Sequence, residues 1–500
     1  MSVHETLKAI AKWRIDAIQE DPEAVFVSED QIDDFIETPP AFVIGKKGTG
    51  KTAFATKLAT KFSQNVHHVS FAEIHDTYAD IQRHQKHNDA STREVAIQLA
   101  ACLCALRKWA KNSKRPLTLR MWESIFSRVQ RPAFLPAALA ALVSIFVKTT
   151  SSPSGVEVSE VKVDFSNIRF HLNNTRMLRD YVAKVLRSVK SSGQDVYLFI
   201  DGIDDLECFN KSPFDPAAMD LLRAFIQGTH NWVQGPERPI KLIALVRPEF
   251  LDLADLPNIR EKIEDNALKL EWNEQSLFSM LTHRLEREVE AMLERSKERG
   301  GYARRIGTRE LFGRSESEHR EIVTRLFNYS FLRPRDVIRY AKFVAEYALK
   351  HDAHQPLPLA YFDRILDKQR RYLLHEMQAE LALTLPHYQR FIQMLMHVNA
   401  ANEDRLFLKR EYFEAEVESA ILAGALPIDV REVMWRLYSA FAIGFRGAGN
   451  SRHFNYETDI PPFSETNQVV LHNLFREVPR DALLIEFADD EPEAEEVQIA

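Results

Sequence analysis

The stretch that most constrains this chain is Gly45–Thr52, which spells G-K-K-G-T-G-K-T and matches the phosphate-loop pattern G-x-x-x-x-G-K-[ST] in full. The apolar run Phe42–Ile44 precedes it and predicts a buried strand, while apolar residues follow at helical spacing over Thr52–Phe62. Glycines let a backbone wrap closely around an anion, because they tolerate positive φ and carry no side chain. The sequence therefore predicts a strand–loop–helix unit that binds a phosphate chain; a Gly/Lys-rich surface turn is the alternative.

The residues of this loop have separate predicted roles. We expect the amides that open the following helix to point at the anion, helped by the positive end of the helix dipole. Lys51 is predicted to reach the β- and γ-phosphates of a nucleotide, and the Thr52 hydroxyl is predicted to ligate Mg²⁺. The predicted nucleotide-contacting residues are Gly45, Lys46, Lys47, Gly48, Thr49, Gly50, Lys51, Thr52 and Ala53.

A second motif, Q-D-V-Y-L-F-I-D-G-I-D-D-L-E, occupies Gln194–Glu207. Val196–Ile200 is continuously apolar, as is typical of a strand inside a parallel sheet. The strand ends in Asp201, which gives the Walker B pattern, in which a carboxylate helps to hold the Mg²⁺ of a nucleotide. We expect this strand to be the neighbour of the phosphate-loop strand. Hydrolysis also needs a group that orients the attacking water, and Asp205 is the first candidate and Asp204 the second.

Three further strands are predicted, and one of them ends in a basic residue. They cover Val66–Ala72, Lys241–Arg247 and Ala267–Trp272. Ligands of open α/β sheets bind at the carboxyl ends of the strands, so Arg247 is a candidate sensor of the γ-phosphate. A surface ion pair is the alternative role for Arg247.

Length, charge and cysteine content set outer bounds. Five hundred residues exceed what one hydrophobic core usually supports, so several domains are expected. A net charge of −7 gives no global basic signature, and nucleic-acid binding would need a local basic patch. Cys102, Cys104 and Cys208 form neither a disulfide framework nor a metal quartet. Because the first residues do not show a signal-peptide pattern, we expect a cytoplasmic location.

The segment between the second and third predicted strands is long. Asp80–Gly193 exceeds a single crossover and is predicted to be a mostly helical insertion, which Thr175–Lys190 closes as a core helix. Its most apolar run, Ala133–Val147, would span about 22 Å as a helix, less than the roughly 30 Å of a bilayer core. We interpret it as a buried helix, with an interfacial or membrane-dipping segment as the alternative, and expect no stable membrane insertion.

Basic residues mark two places in the second half of the chain. Glu290–Glu321 is the most basic local run, which we interpret as a mobile linker; a contact for nucleic-acid phosphates or for a neighbouring subunit's nucleotide is the alternative. Pro334 begins a predicted helix with Arg333 and Arg335 at its start. Cations there oppose the helix dipole, so an anion or an acidic partner is expected nearby. Arg335 is a candidate for closing a helical lid over the nucleotide.

The C-terminal part combines helices with a predicted hairpin. Helical patterns from Gln369 onward precede two strands at Ala440–Arg446 and Arg452–Tyr456. Helices followed by a two-stranded wing suggest a winged-helix domain, a kind of domain that binds DNA or packs against protein. Arg446 and Arg452 are the basic residues in or beside the wing and do not decide between the two. The acidic C-terminal tail is expected to be disordered.

Four segments together resemble a known group: G-K-K-G-T-G-K-T, F-I-D-G-I-D-D-L, A-L-V-R-P-E-F and F-L-R-P-R-D-V-I-R-Y. They resemble the STAND and AAA+ branch of P-loop ATPases, especially bacterial stand-alone ATPases related to origin-recognition and KAP-type proteins. The resemblance implies an ATPase core that uses ATP and Mg²⁺, a helical lid and a winged-helix domain. The roles it implies are phosphate and Mg²⁺ contacts by Lys51, Thr52 and Asp201, hydrolysis by Asp204 or Asp205, a sensor role for Arg247 and a lid role for Arg335.

The expected fold is α/β: a P-loop NTPase parallel sheet flanked by helices, with a long helical insertion, a helical lid and a C-terminal winged-helix-like domain. The predicted bounds are a helical lead-in at 1–40, the ATPase core at 41–79 and 194–273, the insertion at 80–193, the lid with its basic linker at 274–368, the winged-helix-like domain at 369–480 and the tail at 481–500.

Three functions fit these features. The first is an ATP-hydrolysing switch whose nucleotide state controls its conformation or its oligomeric assembly with a partner effector, in bacterial antiviral defence. The second is a DNA-binding AAA+-type loader or a regulator of transcription or replication. The third is a scaffold that binds nucleotide structurally and does not turn it over.

Overall fold

The computed structural model describes residues 3–14, 29–62, 66–82, 90–112, 196–205, 216–233, 240–254, 256, 261–264, 267–298, 307–351, 353, 355–402, 407–446, 452–454 and 468–475. The chain forms two compact units. The sheet unit comprises Trp13–Glu271 and Met280–Ala291, and the helical unit comprises Met1–Lys12, Trp272–Ser279 and Met292–Ala500.

Helices make up most of the described chain. They are α1 (Val3–Ala11), α2 (Glu29–Glu37), α3 (Lys51–Phe62), α4 (Phe71–Gln82), α5 (Ala90–Asn112), α6 (Pro216–Val233), α7 (Pro248–Ala254), α8 (Glu274–Glu298), α9 (Thr308–Leu311), α10 (Glu316–Asn328), α11 (Pro334–Lys350), α12 (Leu359–Thr384), α13 (Tyr388–Ala401), α14 (Arg410–Gly424) and α15 (Val430–Ser439). Of these helices, none is both long enough and apolar enough to cross a bilayer. The predicted helices at Ala133–Val147 and Thr175–Lys190 lie outside the described residues.

The sheet unit is built on five parallel strands. They are β1 (Phe42–Ile44), β2 (Val66–Ser70), β3 (Val196–Asp201), β4 (Ile240–Val246) and β5 (Leu268–Lys269). Their order in the sheet is β2-β3-β4-β1-β5, and every pairing is parallel. The five predicted strands are thus confirmed, although β2 and β5 are shorter than predicted.

The expectation that β1 and β3 are neighbours is wrong. Strand β4 lies between them, because Ala244 pairs with Phe42 on one side and with Ile200 on the other. All three strands are almost entirely buried. Their apolar patterns are therefore alike and contain no signal that separates one order from another. As a result, the carboxyl end of β4 lies between the two motifs.

An aromatic cluster holds the phosphate-loop helix against the sheet. Phe35 of α2 stacks on Phe199 of β3 with ring centroids 5.8 Å apart, and it meets Phe54 of α3 edge-on at 5.7 Å. All three rings are buried in a core that includes Val43 and Leu58. Burying one such ring stabilises a fold by about 1.5–3 kcal/mol, so this cluster fixes the position of α3.

Helix α5 lies in the stretch between β2 and β3 and packs against the sheet unit. It contacts α4, α6 and strand β2. The Gln98 side chain donates a hydrogen bond of 2.8 Å to the carbonyl of Gly228 in α6. A Cβ atom at Gly228 would lie 3.3 Å from the carbonyl oxygen of Glu94, so the glycine permits close approach of the two helices. This stretch therefore contributes a buried helix to the layer beside β2.

The helical unit ends in a small antiparallel sheet. Strands β6 (Leu408–Lys409), β7 (Ile443–Arg446), β8 (Arg452–His453) and β9 (Gln468–Leu471) have the order β6-β9-β7-β8. The predicted hairpin is confirmed between β7 and β8, where Phe445 pairs with His453. Along the chain, α13, β6, α14 and α15 precede this hairpin. Whether the arrangement functions as a winged helix stays a prediction.

Candidate nucleotide-binding site

The loop between β1 and α3 has the backbone that its glycines predict. Gly48 and Gly50 have φ values of 84° and 96°, in the left-handed region that residues with a side chain rarely adopt. Gly45 has a steric role instead, since a Cβ atom there would lie 2.4 Å from the Thr49 hydroxyl oxygen. The Gly45 amide donates to the carbonyl of Val246 at 3.2 Å. The loop is therefore fixed to the end of β4.

Helix α3 begins directly at the end of this loop. The Phe54 amide donates to the Gly50 carbonyl at 2.8 Å, and this hydrogen bond starts the helical ladder. The first turn of α3 contains no acidic residue. Helix amides in the first turn carry a partial positive charge and lack partners within the helix, so they suit an anion.

Lys51 lies folded over the loop. Its Nζ atom donates to the carbonyl oxygens of Gly45 at 2.7 Å and Lys46 at 3.1 Å. Burial, and next the charge of Arg247, lower the pKa of Lys51 to about 8, while nearby acids including Asp201 oppose the shift. Because a pKa of about 8 leaves most of the lysine protonated at pH 7, it remains a cation that can meet a phosphate.

The two sequence motifs meet at Thr52 and Asp201. The Thr52 hydroxyl donates a hydrogen bond to Oδ2 of Asp201, across 149 positions of sequence. The other carboxylate oxygen, Oδ1, accepts from the Gly202 amide at 2.8 Å. Gly202 has a φ of 76°, which permits the tight turn after β3. The hydroxyl and the carboxylate that we predicted as Mg²⁺ ligands thus lie within hydrogen-bond distance of each other.

This donor set fits magnesium. Thr52 and Asp201 offer only oxygen atoms, which are the ligands that Mg²⁺ prefers. Among the described residues, no group of three or more His, Cys, Asp and Glu side chains could hold a metal by itself. Mg²⁺ in phosphate-transfer sites typically takes one or two protein ligands and completes its shell with substrate phosphates and waters. A site with two oxygen donors beside a phosphate loop has this character.

Arg247 and Asp204 form an ion pair at the carboxyl edge of the sheet. Arg247 follows β4 directly and is 7% exposed, and its guanidinium contacts Oδ2 of Asp204. Arg247 is thus ion-paired, but in a buried position and not at the surface, so its sensor role stays a prediction. The pair lies close to Lys51, whose pKa responds to both charges.

Asp205 lies one residue further along, in a 3₁₀ turn over Ile203–Asp205. Burial and the adjacent charges of Asp204 and Asp201 raise the pKa of Asp205, and Arg247 and Lys47 oppose the rise. A carboxylate with a raised pKa is a better proton acceptor than an ordinary aspartate. Asp205 also differs from Asp204 in that its side chain is exposed.

The sequence interpretation missed two residues of this site. Glu249, two positions after Arg247, is only 5% exposed, and its charge acts on Lys51. His68 of β2 is half-buried and stacks on Phe199 at 5.6 Å; burial lowers its pKa, and Asp201 opposes the shift. Glu249 stands in the segment A-L-V-R-P-E-F, but nothing in that segment indicates that its side chain is buried beside the site. His68 gave no signal either, because the alternating pattern of a strand does not show which of its residues lie near a ligand.

Other predicted residues lie in the helical unit or outside the described residues. Arg335 forms an ion pair of 3.9 Å with Glu376, so its lid role stays a prediction. Arg333 is fully buried, and its Nε donates to Asp336 at 2.8 Å. The expectation of acidic partners at the start of α11 is thus confirmed. Cys102 and Cys104 are buried and form no disulfide.

The interpretation of Glu290–Glu321 as a linker is wrong for much of its described part, which belongs to α8 up to Glu298, to α9 and to the start of α10. Residues 299–306 of this run, with Arg299, Arg304 and Arg305, lie outside the described residues. So do Cys208 and, in the C-terminal part, 403–406, 447–451, 455–467 and 476–500.

The comparisons with known proteins found little similarity to this chain. No protein-family model matches the chain, and no curated protein matches it. Among solved structures, the crystal structure of Cdc6p from Pyrobaculum aerophilum is similar to this chain with a TM-score of 0.32 and 11% sequence identity. That similarity covers 91% of this chain and 94% of the other. At this TM-score the two folds differ too much for residue roles to be transferred.

Proposed function

We propose that this chain binds and hydrolyses ATP with Mg²⁺ and that its nucleotide state acts as a conformational switch. One observation carries the proposal: Thr52, at the start of the phosphate-loop helix, contacts Asp201, at the end of a separate strand. A phosphate loop alone could be a surface turn. A phosphate loop whose hydroxyl meets a strand-end carboxylate has both the anion site and the metal donors of a nucleotide triphosphatase.

Each residue of the loop has a binding role in this proposal. The loop and first-turn amides from Gly45 to Ala53 hold the phosphate chain, with Lys46 and Lys47 at its entrance. Lys51 leaves the carbonyls of Gly45 and Lys46 and turns to the β- and γ-phosphates. Thr52 and Asp201 hold Mg²⁺, which when bound neutralises charge that develops on the phosphate oxygens.

The Arg247–Asp204 ion pair is the proposed local switch. A γ-phosphate competes with Asp204 for the guanidinium, because both are anions that accept its hydrogen bonds. When Arg247 turns to the phosphate, Asp204 loses its partner and the turn that carries Asp205 is released. A nearly complete population shift requires ATP to favour the closed form by about 5.5 kcal/mol. Arg335 of the helical unit is proposed to close over the nucleotide in that form.

Hydrolysis in this proposal depends on a carboxylate after β3. Asp205 is the first candidate for orienting water, since its raised pKa makes it a better proton acceptor than an ordinary aspartate. Asp204 is the second candidate and, while paired with Arg247, is less available. The leaving product is ADP, so turnover returns the site to the state in which Arg247 pairs with Asp204.

A protein partner is favoured over DNA by the surface of α14 and α15. From Arg410 to Ser439 the sequence has six acidic and three basic residues, which repels a phosphate backbone. Of the four exposed large hydrophobic side chains among the described residues, three lie here: Tyr412, Leu422 and Trp435. Exposed apolar side chains with an acidic surround suit a protein surface. We therefore propose that the chain self-associates or binds a protein effector. The proposed setting, bacterial antiviral defence, rests on the resemblance of the motifs to those of STAND and AAA+ ATPases.

The switch is tested by the mass of the full chain in ADP, in ATP and in a non-hydrolysable ATP analogue. We expect the mass distribution to shift to larger assemblies with ATP or the analogue and to stay at its starting value with ADP. The same mass distribution with all three nucleotides would contradict a switch that controls assembly.

Two other outcomes would favour the alternative functions. Tight nucleotide binding without turnover would favour the scaffold function. A salt-dependent affinity for duplex DNA that weakens when Arg304 and Arg305 are neutralised would favour the DNA-binding function.

A further inference from the structure

Glu249 is a buried acid with an unoccupied acceptor. It lies in the first turn of α7 and is 5% exposed. Its Oε2 atom is buried and accepts no hydrogen bond from any residue that the structure describes. Burying a carboxylate oxygen without a donor is costly, and most buried polar atoms in folded proteins have a partner. A buried carboxylate oxygen without a hydrogen-bond donor therefore needs an explanation.

The backbone that carries Glu249 is held firmly in place. Phe250 is 1% exposed, and its amide donates to the carbonyl of Arg247 at 3.1 Å. At the other end of α7, the Arg223 side chain donates to the carbonyl of Ala254 at 2.9 Å. Leu251 and Ala254 are also buried. Because α7 is buried and is joined to α6 through Arg223, the buried position of Glu249 is a property of the fold around the end of β4.

Glu249 belongs to the nucleotide site by charge as well as by chain position. It is one of the acids whose charge acts on the Lys51 ammonium, together with Asp201 and Asp204. Both oxygens of Asp201 accept hydrogen bonds, from Thr52 and from the Gly202 amide, and Oδ2 of Asp204 contacts Arg247. These two acids are half-buried, whereas Glu249 supplies a fully buried acceptor without a donor.

An ionised carboxylate accepts hydrogen bonds and donates none, so its missing partner must be a donor. A site for ATP hydrolysis receives such a donor in the attacking water. We propose that Glu249 accepts a hydrogen bond from this water and, together with Asp205, orients it toward the γ-phosphate. The inference rests on the ATPase function proposed above and adds a catalytic residue to it.

The chemical step balances with the groups named. The water oxygen forms a bond to the γ-phosphorus while the bond between that phosphorus and the bridging oxygen breaks. The bridging oxygen keeps the electron pair and leaves as part of ADP. The proton that the water loses is accepted by the Glu249 carboxylate and then passes to solvent, which returns Glu249 to its ionised form.

The test compares Glu249→Gln with the matched control Glu261→Gln in the full chain. Glu261 is an exposed acid of the sheet unit, so its replacement changes the net charge equally. We measure the dissociation constant for Mg²⁺–ATP, the turnover number and its pH profile. We expect E249Q to bind ATP within about threefold of the unchanged protein and to turn it over about 100-fold more slowly, with the acidic limb of the pH profile altered. E261Q should match the unchanged protein in all three.

Each outcome decides between this inference and the wider proposal. If the unchanged protein hydrolyses ATP and E249Q does so at the same rate, the role of Glu249 is refuted and the ATPase function stands. Loss of ATP binding by a folded E249Q would also refute the role, because it would make Glu249 a support of the loop. An unchanged protein that binds no ATP would refute both. If E249Q does not fold, Glu249→Asp replaces it in the test. We then expect normal ATP affinity and turnover that is at least tenfold slower. Normal turnover would contradict the role of Glu249.

Discussion

At the scale of single residues, four acids lie near Lys51 and Arg247 at the carboxyl edge of the sheet: Asp201, Asp204, Asp205 and Glu249. Burial raises the pKa of Asp205, and the like charges of Asp204 and Asp201 raise it further. A cation such as Mg²⁺ would relieve the repulsion between these carboxylates. The clustered acids are therefore a physical reason to expect a bound metal with the nucleotide.

Replacing Asp205 by alanine should separate binding from turnover. Asp205 is exposed and is not one of the residues proposed to hold the phosphates or Mg²⁺, so we expect ATP affinity to remain within about threefold. Turnover should fall by about 10- to 100-fold, because the water loses one of its orienting acids. Equilibrium titration with a fluorescent ATP analogue and a phosphate-release assay measure the two quantities. Turnover at the normal rate would transfer the role to Asp204 or Glu249.

Individual site residues were predictable where a motif specifies them. Lys51, Thr52 and Asp201 follow from residue type at fixed spacing, because a phosphate loop and its metal demand those groups. Glu249 and His68 were not predictable in the same way. Their importance comes from burial beside the site, and burial is set by how α7 and β2 pack, which the local sequence does not specify.

At the scale of elements, apolar runs located the strands but not their order. The runs around Val43, Leu198 and Ala244 are equally apolar, so nothing in them indicates that β4 separates β1 from β3. The antiparallel sheet shows the same limit. Strands β7 and β8 are close in sequence and their pairing was predicted, whereas β9 joins β7 only through pairing between residues far apart in sequence, such as Val470 with Gly444.

Strand β2 makes the sheet unit sensitive to acid. Burial, and next the charges of Lys108 and His68, lower the pKa of His67 to about 4. In the unfolded chain this pKa is about 6.5, so the unfolded state binds more protons between pH 4 and pH 6.5. The resulting stability is fully present above pH 6.5 and is lost as the pH falls toward 4. The loss is on the order of 2–3 kcal/mol.

We expect His67→Leu to reduce this acid sensitivity. A leucine cannot take up a proton, so the variant should lose less stability between pH 7 and pH 4.5 than the unchanged protein. Urea unfolding of the full chain at the two pH values measures the difference. His75→Leu is the control, since His75 is partly exposed and lies on α4 of the same unit. An equal pH dependence in the His67 variant and the unchanged protein would contradict this account.

At the scale of the whole molecule, each unit has its own buried polar centre. In the helical unit, Arg333 joins α11 to α12 through Asp336 and Glu380, and its guanidinium lies 4.7 Å from the Phe331 ring. Phe331 in turn stacks on Phe441 at 5.1 Å. This centre ties the paired helices to the segment that enters β7. Removing one partner of a buried ion pair is strongly destabilising, so the centre stabilises the helical unit as a whole.

The division into two units was less predictable than the site. A chain of this length was expected to form several domains, but domain size alone does not show which segments share a core. The N-terminal helix α1 illustrates the difficulty, because it packs on α11 although more than 300 positions separate them in sequence. Such a contact depends on complementary surfaces, and an amphipathic pattern at either end does not identify its partner.

The most direct test of the central claim is the affinity for Mg²⁺–ATP of the unchanged full chain and of Lys51→Ala, measured by calorimetry. Lys61→Ala is the matched control, since Lys61 is an exposed lysine at the other end of the same helix. The account predicts that K51A weakens ATP binding by about 100-fold, because the phosphates lose their buried cation, while K61A binds as the unchanged protein does. Equal ATP affinity in K51A and the unchanged protein, or no ATP binding by the unchanged protein, would contradict the nucleotide site.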